Sequence, residues 1–322
     1  MKKIFIEAPG KLILSGEHSA VYGHPAIVIA VDRTLSLSVE CQDESNHSFF
    51  VDLLDKFGQL GTDAVIEAIR KCPDELNNLE IDSNIPIGSG MGSSAAIAAT
   101  LSMLALELSG KNYDQADINR HAFALEKVAH GKPSGIDNTT VVYGGVRKFC
   151  RNKNNEMIGV EVKGKNFLDR LFVVNTGKPV ETTAQMVTQV KGKFNKNSKK
   201  MKLLMSSISE ITETIQNLID DGGNEADFMK SITLNQKLLE DIGAVGERCQ
   251  KFVRRIKTFG GVAKMSGAGG NIAESGVVII YLPVNIEASF LLSIKNCQIF
   301  PIKISSGIRM KIDDRIVNGN RL

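Results

Sequence analysis

Apolar positions at the start of the chain come in short blocks. Ile4-Phe5-Ile6 predicts a strand, Ala8-Pro9-Gly10 a break, and Lys11-Leu12-Ile13-Leu14 a second strand. "AIVIAVDRTLSLSVEC" then begins as an apolar run and passes into the alternation Leu35, Leu37, Val39, as expected for a sheet with one wet face. From Ser94 the period changes. "SAAIAATLSMLALEL" is apolar almost all round and ends at Ser109-Gly110, which predicts a buried helix with a glycine stop. A second helix is expected over residues 113–130, and "TTVVYGGVRKF" reads as a hairpin strand. Beyond the polar run "RNKNNEMIG" a new strand is expected at Leu171–Asn175, helices over most of residues 201–258, and late strands in "GVVIIYLP" and "CQIFPIKI". The pattern is that of an α/β chain, with a domain boundary near residue 165 that divides it into 1–165 and 166–322.

Composition narrows the class. With 322 residues, 43% hydrophobic and 23% charged, the chain can bury a substantial core. A net charge of +3, spread along the sequence, argues against a nucleic-acid partner. The basic stretch "KGKFNKNSKKMK" at residues 191–202 reads as a solvated face. Cys41, Cys72, Cys150, Cys249 and Cys297 form no C-x-x-C pair, so reduced, buried thiols are expected. The start, "MKKIFIEAPGKL", has no apolar h-region, and the longest uncharged stretch, residues 85–106, opens on Gly and Ser. A cytoplasmic protein with no membrane partner is expected.

Four segments carry candidate chemistry. In "IPIGSGMGSSAA", residues 85–96, three glycines and three serines take six of the seven positions from 88 to 94, ahead of an apolar run. Glycines let the backbone approach a ligand and turn its amides inward, and a helix N-terminus attracts an anion, so this is a candidate phosphate cradle. It is not the G-x-x-x-x-G-K-[ST] loop, since Ser93 and Ser94 stand where that pattern has Gly and Lys, and a cation must come from elsewhere. Ser93 or Ser94 could equally be an ordinary N-cap. "EKVAHGKPSGIDN" places Asp137 in what reads as a Gly/Pro turn, "APGKLILSGEHSAVYG" places Lys11 at a strand start, and "KMSGAGG" is a second glycine-rich turn.

Together these segments meet a known pattern. "PGKLILSGEHSAVYG", "IPIGSGMGSSAA" and "KMSGAGG" resemble, in order and spacing, the three motifs of the GHMP kinases, and with "HGKPSGIDN" the chain is most similar to the mevalonate kinases among them. The resemblance implies a two-domain fold: an amino-terminal ATP-binding domain with a ribosomal-protein-like β-α unit, a ferredoxin-like carboxyl-terminal domain, and a site between them. It implies ATP and Mg2+ as cofactors and phosphorylation of the 5-hydroxyl of mevalonate, and it leaves room for a homodimer. By the same resemblance Gly88, Ser89, Gly90, Met91, Gly92, Ser93 and Ser94 would wrap the ATP phosphates with Ser83 on the nucleotide side. Ser94 and Glu126 would hold Mg2+, Asp137 would accept the hydroxyl proton, and Lys11 would supply the cation. His18 and Thr182 would lie on the substrate side, and His130 is taken as structural. His18 is alternatively an internally hydrogen-bonded histidine. One departure stands out: Asn271 follows Gly269-Gly270 where the family often continues with glycine, which puts Gly267 to Gly270 in doubt as direct contacts. Two rivals remain, another small-alcohol kinase of the superfamily and a nucleotide-binding scaffold without catalysis. Ser19-Ala20-Val21 lacks the Thr-Asp-Tyr of galactokinases, and a scaffold would have no need of a base and two metal ligands.

Overall fold

The computed structural model describes residues 2–41, 76–86, 88–110, 112–131, 133–154, 156–294, 297–313 and 315–317. In chain order the first part runs β1 (Lys2–Ser15), β2 (Ala26–Cys41), β3 (Leu76–Ser83), α1 (Ser93–Leu108), α2 (Gln115–His130), α3 (Ile136–Tyr143), β4 (Val146–Arg151) and β5 (Met157–Val162). The second runs β6 (Leu171–Asn175), α4 (Thr183–Lys196), α5 (Ser198–Asp221), α6 (Glu225–Asp241), α7 (Glu247–Thr258), β7 (Val262–Ser266), β8 (Val277–Tyr281), β9 (Gln298–Pro301), β10 (Arg309–Ile312) and β11 (Arg315–Val317).

Two sheets organise the molecule. The first has the order β11-β10-β1-β2-β4-β5, with β3 pairing a different stretch of β2. The second is β7-β8-β6-β9 and wholly antiparallel. Numbered by appearance, its strands lie in the order 2-3-1-4 with the helices α4 to α7 inserted after the first, a ferredoxin-like arrangement. Residues 309–317 return to the first sheet, where β10 pairs with β1, Ile4 opposite Ile312.

Two local expectations are corrected. The Ala8-Pro9-Gly10 break does not divide two strands: β1 is continuous, and a register shift between Pro9 and Gly10 absorbs the residue that cannot donate to the ladder. The segment "TTVVY" is helical, in α3. Its β-branched residues favour a strand taken alone, but Gly135 starts a helix from a left-handed conformation (φ 81°), and Thr140, Val141 and Val142 are then buried against neighbouring elements. Asp137 is accordingly in the first turn of a helix rather than in a Gly/Pro turn.

The helix expected after Ser94 is α1, and its sequence explains its place. Residues from Ala95 to Glu107 are buried on nearly every side, between β1, β2, α2 and α3. Small alanines let those neighbours approach closely, and a helix apolar all round is stable only when enclosed. The basic segment 191–202 spans the end of α4 and the start of α5 with its lysines exposed, and Lys193 alone among them reaches inward, donating to Ile242 O at 3.1 Å. Among the described thiols Cys249 is buried, Cys297 half-buried and Cys150 exposed, so the expectation of buried thiols holds for Cys249 and fails for Cys150, while the side chain of Cys41 and the whole of Cys72 lie outside the described residues. Among the described residues no helix is long and apolar enough to cross a membrane.

Candidate active site

The glycine loop is built by left-handed backbone. Gly88, Gly90 and Gly92 have φ of 71°, 88° and 79°, a region that side chains disfavour. Gly92 itself is the N-cap of α1, and among the described residues no side chain caps that end. Ser93 and Ser94 therefore occupy the first helical turn instead of capping it, which overturns the simple capping alternative and puts the glycine loop at the N-terminus of a buried 16-residue helix, the end that attracts an anion. The loop is also tied down: Ser89 Oγ donates to Pro86 O at 2.6 Å, and at its entrance Ser83 Oγ accepts from Ile85 N at 3.2 Å. The amide of Lys11 donates to Met91 O at 2.9 Å.

Lys11 passes directly against this loop. A Cβ placed on Gly92 would lie 2.8 Å from Lys11 Cγ, so glycine there gives the lysine its path. At the end of that path Lys11 Nζ lies 3.2 Å from Asp137 Oδ1. The lysine is buried, with a side-chain exposure of 5%, and the aspartate is more open at 38%, so one end of the pair is fixed and the other faces the space where a reactant can reach it. Two residues beyond Gly92, Ser94 Oγ donates to Glu126 Oε1 at 2.5 Å, joining the start of α1 to the last turns of α2. A hydroxyl and a carboxylate held together are oxygen donors of the kind a hard divalent cation prefers, and Mg2+ commonly takes only one or two protein oxygens and completes its shell with phosphate and water.

The second glycine turn closes against the first. A Cβ at Gly267 (φ 95°) would lie 3.9 Å from Gly90 Cα, and one at Gly276 only 2.8 Å from Ser89 O. The departure at Asn271 is explained by its contacts: its Nδ2 donates to Gln189 Oε1 at 2.8 Å and to Gly243 O at 3.2 Å, and its amide donates to Glu181 Oε1 at 3.0 Å. An asparagine there pins the turn to α4 and to the end of α6, which a glycine could not do.

Of the two residues expected on the substrate side, both are already engaged. His18, in a left-handed conformation (φ 60°), places Nε2 at 2.9 Å from Ala268 O. A carbonyl only accepts, so Nε2 carries the proton, and burial holds the ring below its usual range, in the neutral form. The internally bonded reading of His18 is thus realised. Thr182 is the N-cap of α4, its hydroxyl accepting from Gln185 N at 3.2 Å in a capping box. The side chain of His130 lies outside the described residues.

Two charged residues escaped the sequence reading although they stand inside its motifs. Glu17, from "GEHSAVYG", and Lys264, from "KMSGAGG", form an ion pair in which both side chains are fully buried. Lys264 Nζ also donates to Met265 O at 2.7 Å and Ile13 O at 3.3 Å, while Glu17 Oε2 has no partner. Burial pushes the Glu17 carboxyl up and the Lys264 amine down, and their mutual attraction opposes both shifts. Beside them Ile13 N donates to Ser266 Oγ at 2.9 Å, so the strand that carries Lys11 is stitched to β7 of the second sheet. The available signal was a lysine within an otherwise apolar strand, "VAKMS", which a buried strand tolerates only with an acidic partner.

Comparison with known proteins agrees with this geometry. Residues 61–145 match the family of GHMP kinases N terminal domain. The mevalonate kinase of Archaeoglobus fulgidus is 31% identical over 278 residues, covering 82% of this chain and 88% of that protein. The crystal structure of the Methanococcus jannaschii mevalonate kinase superposes with a TM-score of 0.74 at 25% identity, covering 94% of this chain and 98% of that one. That of L. major mevalonate kinase in complex with R-mevalonate has the same fold, with a TM-score of 0.72 at 22% identity over 93% of this chain and 95% of that one. With a lysine and an aspartate in contact beside a glycine loop, and a relative of this identity aligned over most of both chains, the protein belongs to the mevalonate kinase family of the GHMP kinases.

Proposed function

We propose that this enzyme transfers the terminal phosphoryl group of ATP to the 5-hydroxyl of mevalonate, giving 5-phosphomevalonate and ADP. The observation that carries the reading is the contact between Lys11 Nζ and Asp137 Oδ1 at 3.2 Å, formed where Gly92 lets the lysine pass the glycine loop. Phosphoryl transfer through a loose transition state gains mainly from positioning and from neutralising charge on the phosphate oxygens. The amides of Gly88 to Ser94 and the N-terminus of α1 hold the phosphates, and Lys11 adds a fixed positive charge beside them. Asp137 Oδ1 accepts the proton of the attacking hydroxyl.

The Ser94 and Glu126 oxygens are the residues that would hold Mg2+, which when bound neutralises phosphate charge. On the substrate side, Thr182 accepts from its helix and retains its hydroxyl proton for donation to a carboxylate. His18, whose Nε2–H is engaged as a donor to Ala268 O, has Nδ1 as its acceptor nitrogen, which suits a substrate hydroxyl. Residues 1–165 then form the ATP-binding part and 166–322 the second domain, with the returning strands β10 and β11 added to the first sheet, and the enzyme works in the cytoplasm.

The test is to incubate the purified protein with Mg-ATP and, in turn, mevalonate, phosphomevalonate, homoserine and galactose, following ADP. Release of ADP with mevalonate alone is expected. Release with another alcohol would reassign the substrate, and silence throughout would leave a nucleotide-binding scaffold.

A further inference from the structure

We infer that Lys178, on the loop between β6 and α4, is a second phosphate-binding lysine, which meets the nucleotide's polyphosphate at Gly88. The inference deepens the reading of Gly88 to Ser94 as the phosphate loop and rests on it. A Cβ on Gly88 would lie 3.0 Å from Lys178 Cδ, 3.1 Å from Cε and 3.2 Å from Cγ. Three consecutive carbons at nearly one distance mean that the aliphatic stem runs alongside the glycine, so the ammonium is one bond beyond Cε at the loop itself. Gly88 combines this close approach with a φ of 71°, and both properties need the absence of a side chain.

The loop that presents Lys178 is held at both ends. Thr176 donates to Gly276 O through its amide at 2.9 Å and through Oγ1 at 2.6 Å. Pro179 packs on the second glycine turn, its Cβ 3.0 Å from where a side chain at Gly270 would begin, and Glu181 Oε1 accepts from the amides of Asn271 and Ile272, each at 3.0 Å. Two carboxylates beside this loop have other contacts: Glu181 Oε1 takes those amides while its Oε2 is buried without a hydrogen-bond partner, and Glu274, which packs against Gly177, pairs with Arg248. Lys178 is therefore an exposed cation whose stem runs beside Gly88 of the proposed phosphate loop. A polyphosphate is the ligand class that satisfies both the amides and the ammonium. Lys11 lies at the Gly92 end of the loop and comes from the first sheet, whereas Lys178 lies at the Gly88 end and comes from the second.

The experiment measures binding of inorganic tripolyphosphate and of Mg-ATP by calorimetry, with steady-state kinetics, for the wild type, Lys178→Gln, Lys178→Arg and, as a control, Lys202→Gln on the exposed face of α5. Lys178→Gln is expected to weaken both ligands about tenfold and to raise the KM for Mg-ATP alike, with kcat and the KM for the alcohol within about twofold. Lys178→Arg is expected to recover most of the loss, and Lys202→Gln to bind like the wild type. Unchanged tripolyphosphate and Mg-ATP affinity in Lys178→Gln, with the wild type binding both, would overturn the role of Lys178 and leave the phosphate loop standing. A wild type that binds neither would overturn the phosphate loop, and the inference with it.

Discussion

Lys11 and Asp137 are 126 positions apart in the chain and 3.2 Å apart in space, the lysine buried beside the glycine loop and the aspartate opening from the first turn of α3. Their contact gives the site a fixed cation and a base in one place. Asp137→Asn keeps the shape and removes the proton acceptor, so kcat is expected to fall roughly 10²–10⁴-fold while ATP affinity stays within about twofold. Single-turnover kinetics paired with nucleotide titration checks this, and near-normal turnover in the variant would remove Asp137 from the mechanism.

Ser94 and Glu126 meet at 2.5 Å between α1 and α2. Replacing either oxygen, by Ser94→Ala or Glu126→Gln, is expected to raise the Mg2+ concentration needed for half-maximal rate by about tenfold or more. Measuring rate against free Mg2+ at saturating ATP distinguishes this from a loss of nucleotide binding. An unchanged Mg2+ requirement in both variants would assign the metal elsewhere.

Gly92→Ala places a methyl group 2.8 Å from Lys11 Cγ and forces a side chain into a φ of 79°. The backbone strain alone costs about 1–2 kcal/mol. Displacement of the lysine by a fraction of its length is expected to lower kcat by up to about 10²-fold. Thermal unfolding and kcat measured together should show an activity loss larger than the small shift in Tm, and a fully active variant would mean that Lys11 tolerates another path.

Lys264→Met would strand the Glu17 carboxylate in the core. Breaking one side of a buried pair costs about 3–5 kcal/mol, whereas removing both charges is commonly neutral or favourable. The double variant Glu17→Leu with Lys264→Met is therefore expected to regain most of the stability lost in the single one. Chemical denaturation of all four members of the cycle measures the coupling, and additive losses would show that the two residues act independently.

His18 links stability to pH. Burial lowers its pKa below the usual 6.5, so below that value the unfolded chain takes up a proton that the folded protein resists, and stability falls as pH drops from 6.5 toward the folded pKa. Above 6.5 this contribution is constant. The ring faces the Ala268 carbonyl, and the nearby positive charge of Lys193 also disfavours its protonation. His18→Gln is expected to flatten the stability profile as pH falls below about 6.5, read as a smaller loss of Tm than in the wild type. An identical slope in both proteins would show that other groups govern the acid side.

Local chemistry was enough to mark much of this molecule. The alternation in β2, the enclosed apolar run of α1 and the glycines at 88, 90 and 92 each state their conformation within a few residues, because backbone sterics and burial of one face act over that range. The four residues proposed for the chemistry, Lys11, Ser94, Glu126 and Asp137, were legible through motifs, and the structure brings them together as two close pairs. Tertiary structure decided what depends on distant partners. The helical state of "TTVVY" follows from packing that outweighs β-branched preference, and the continuity of β1 through Pro9 follows from a register shift that β2 absorbs. The Glu17 and Lys264 charges are tolerable only because a residue 247 positions away neutralises each, and the stem of Lys178 runs along Gly88 only because a loop from the second sheet is fastened there. Burial and Coulomb attraction depend on separation in space, and the linear order of residues does not encode that separation until the two sheets have packed.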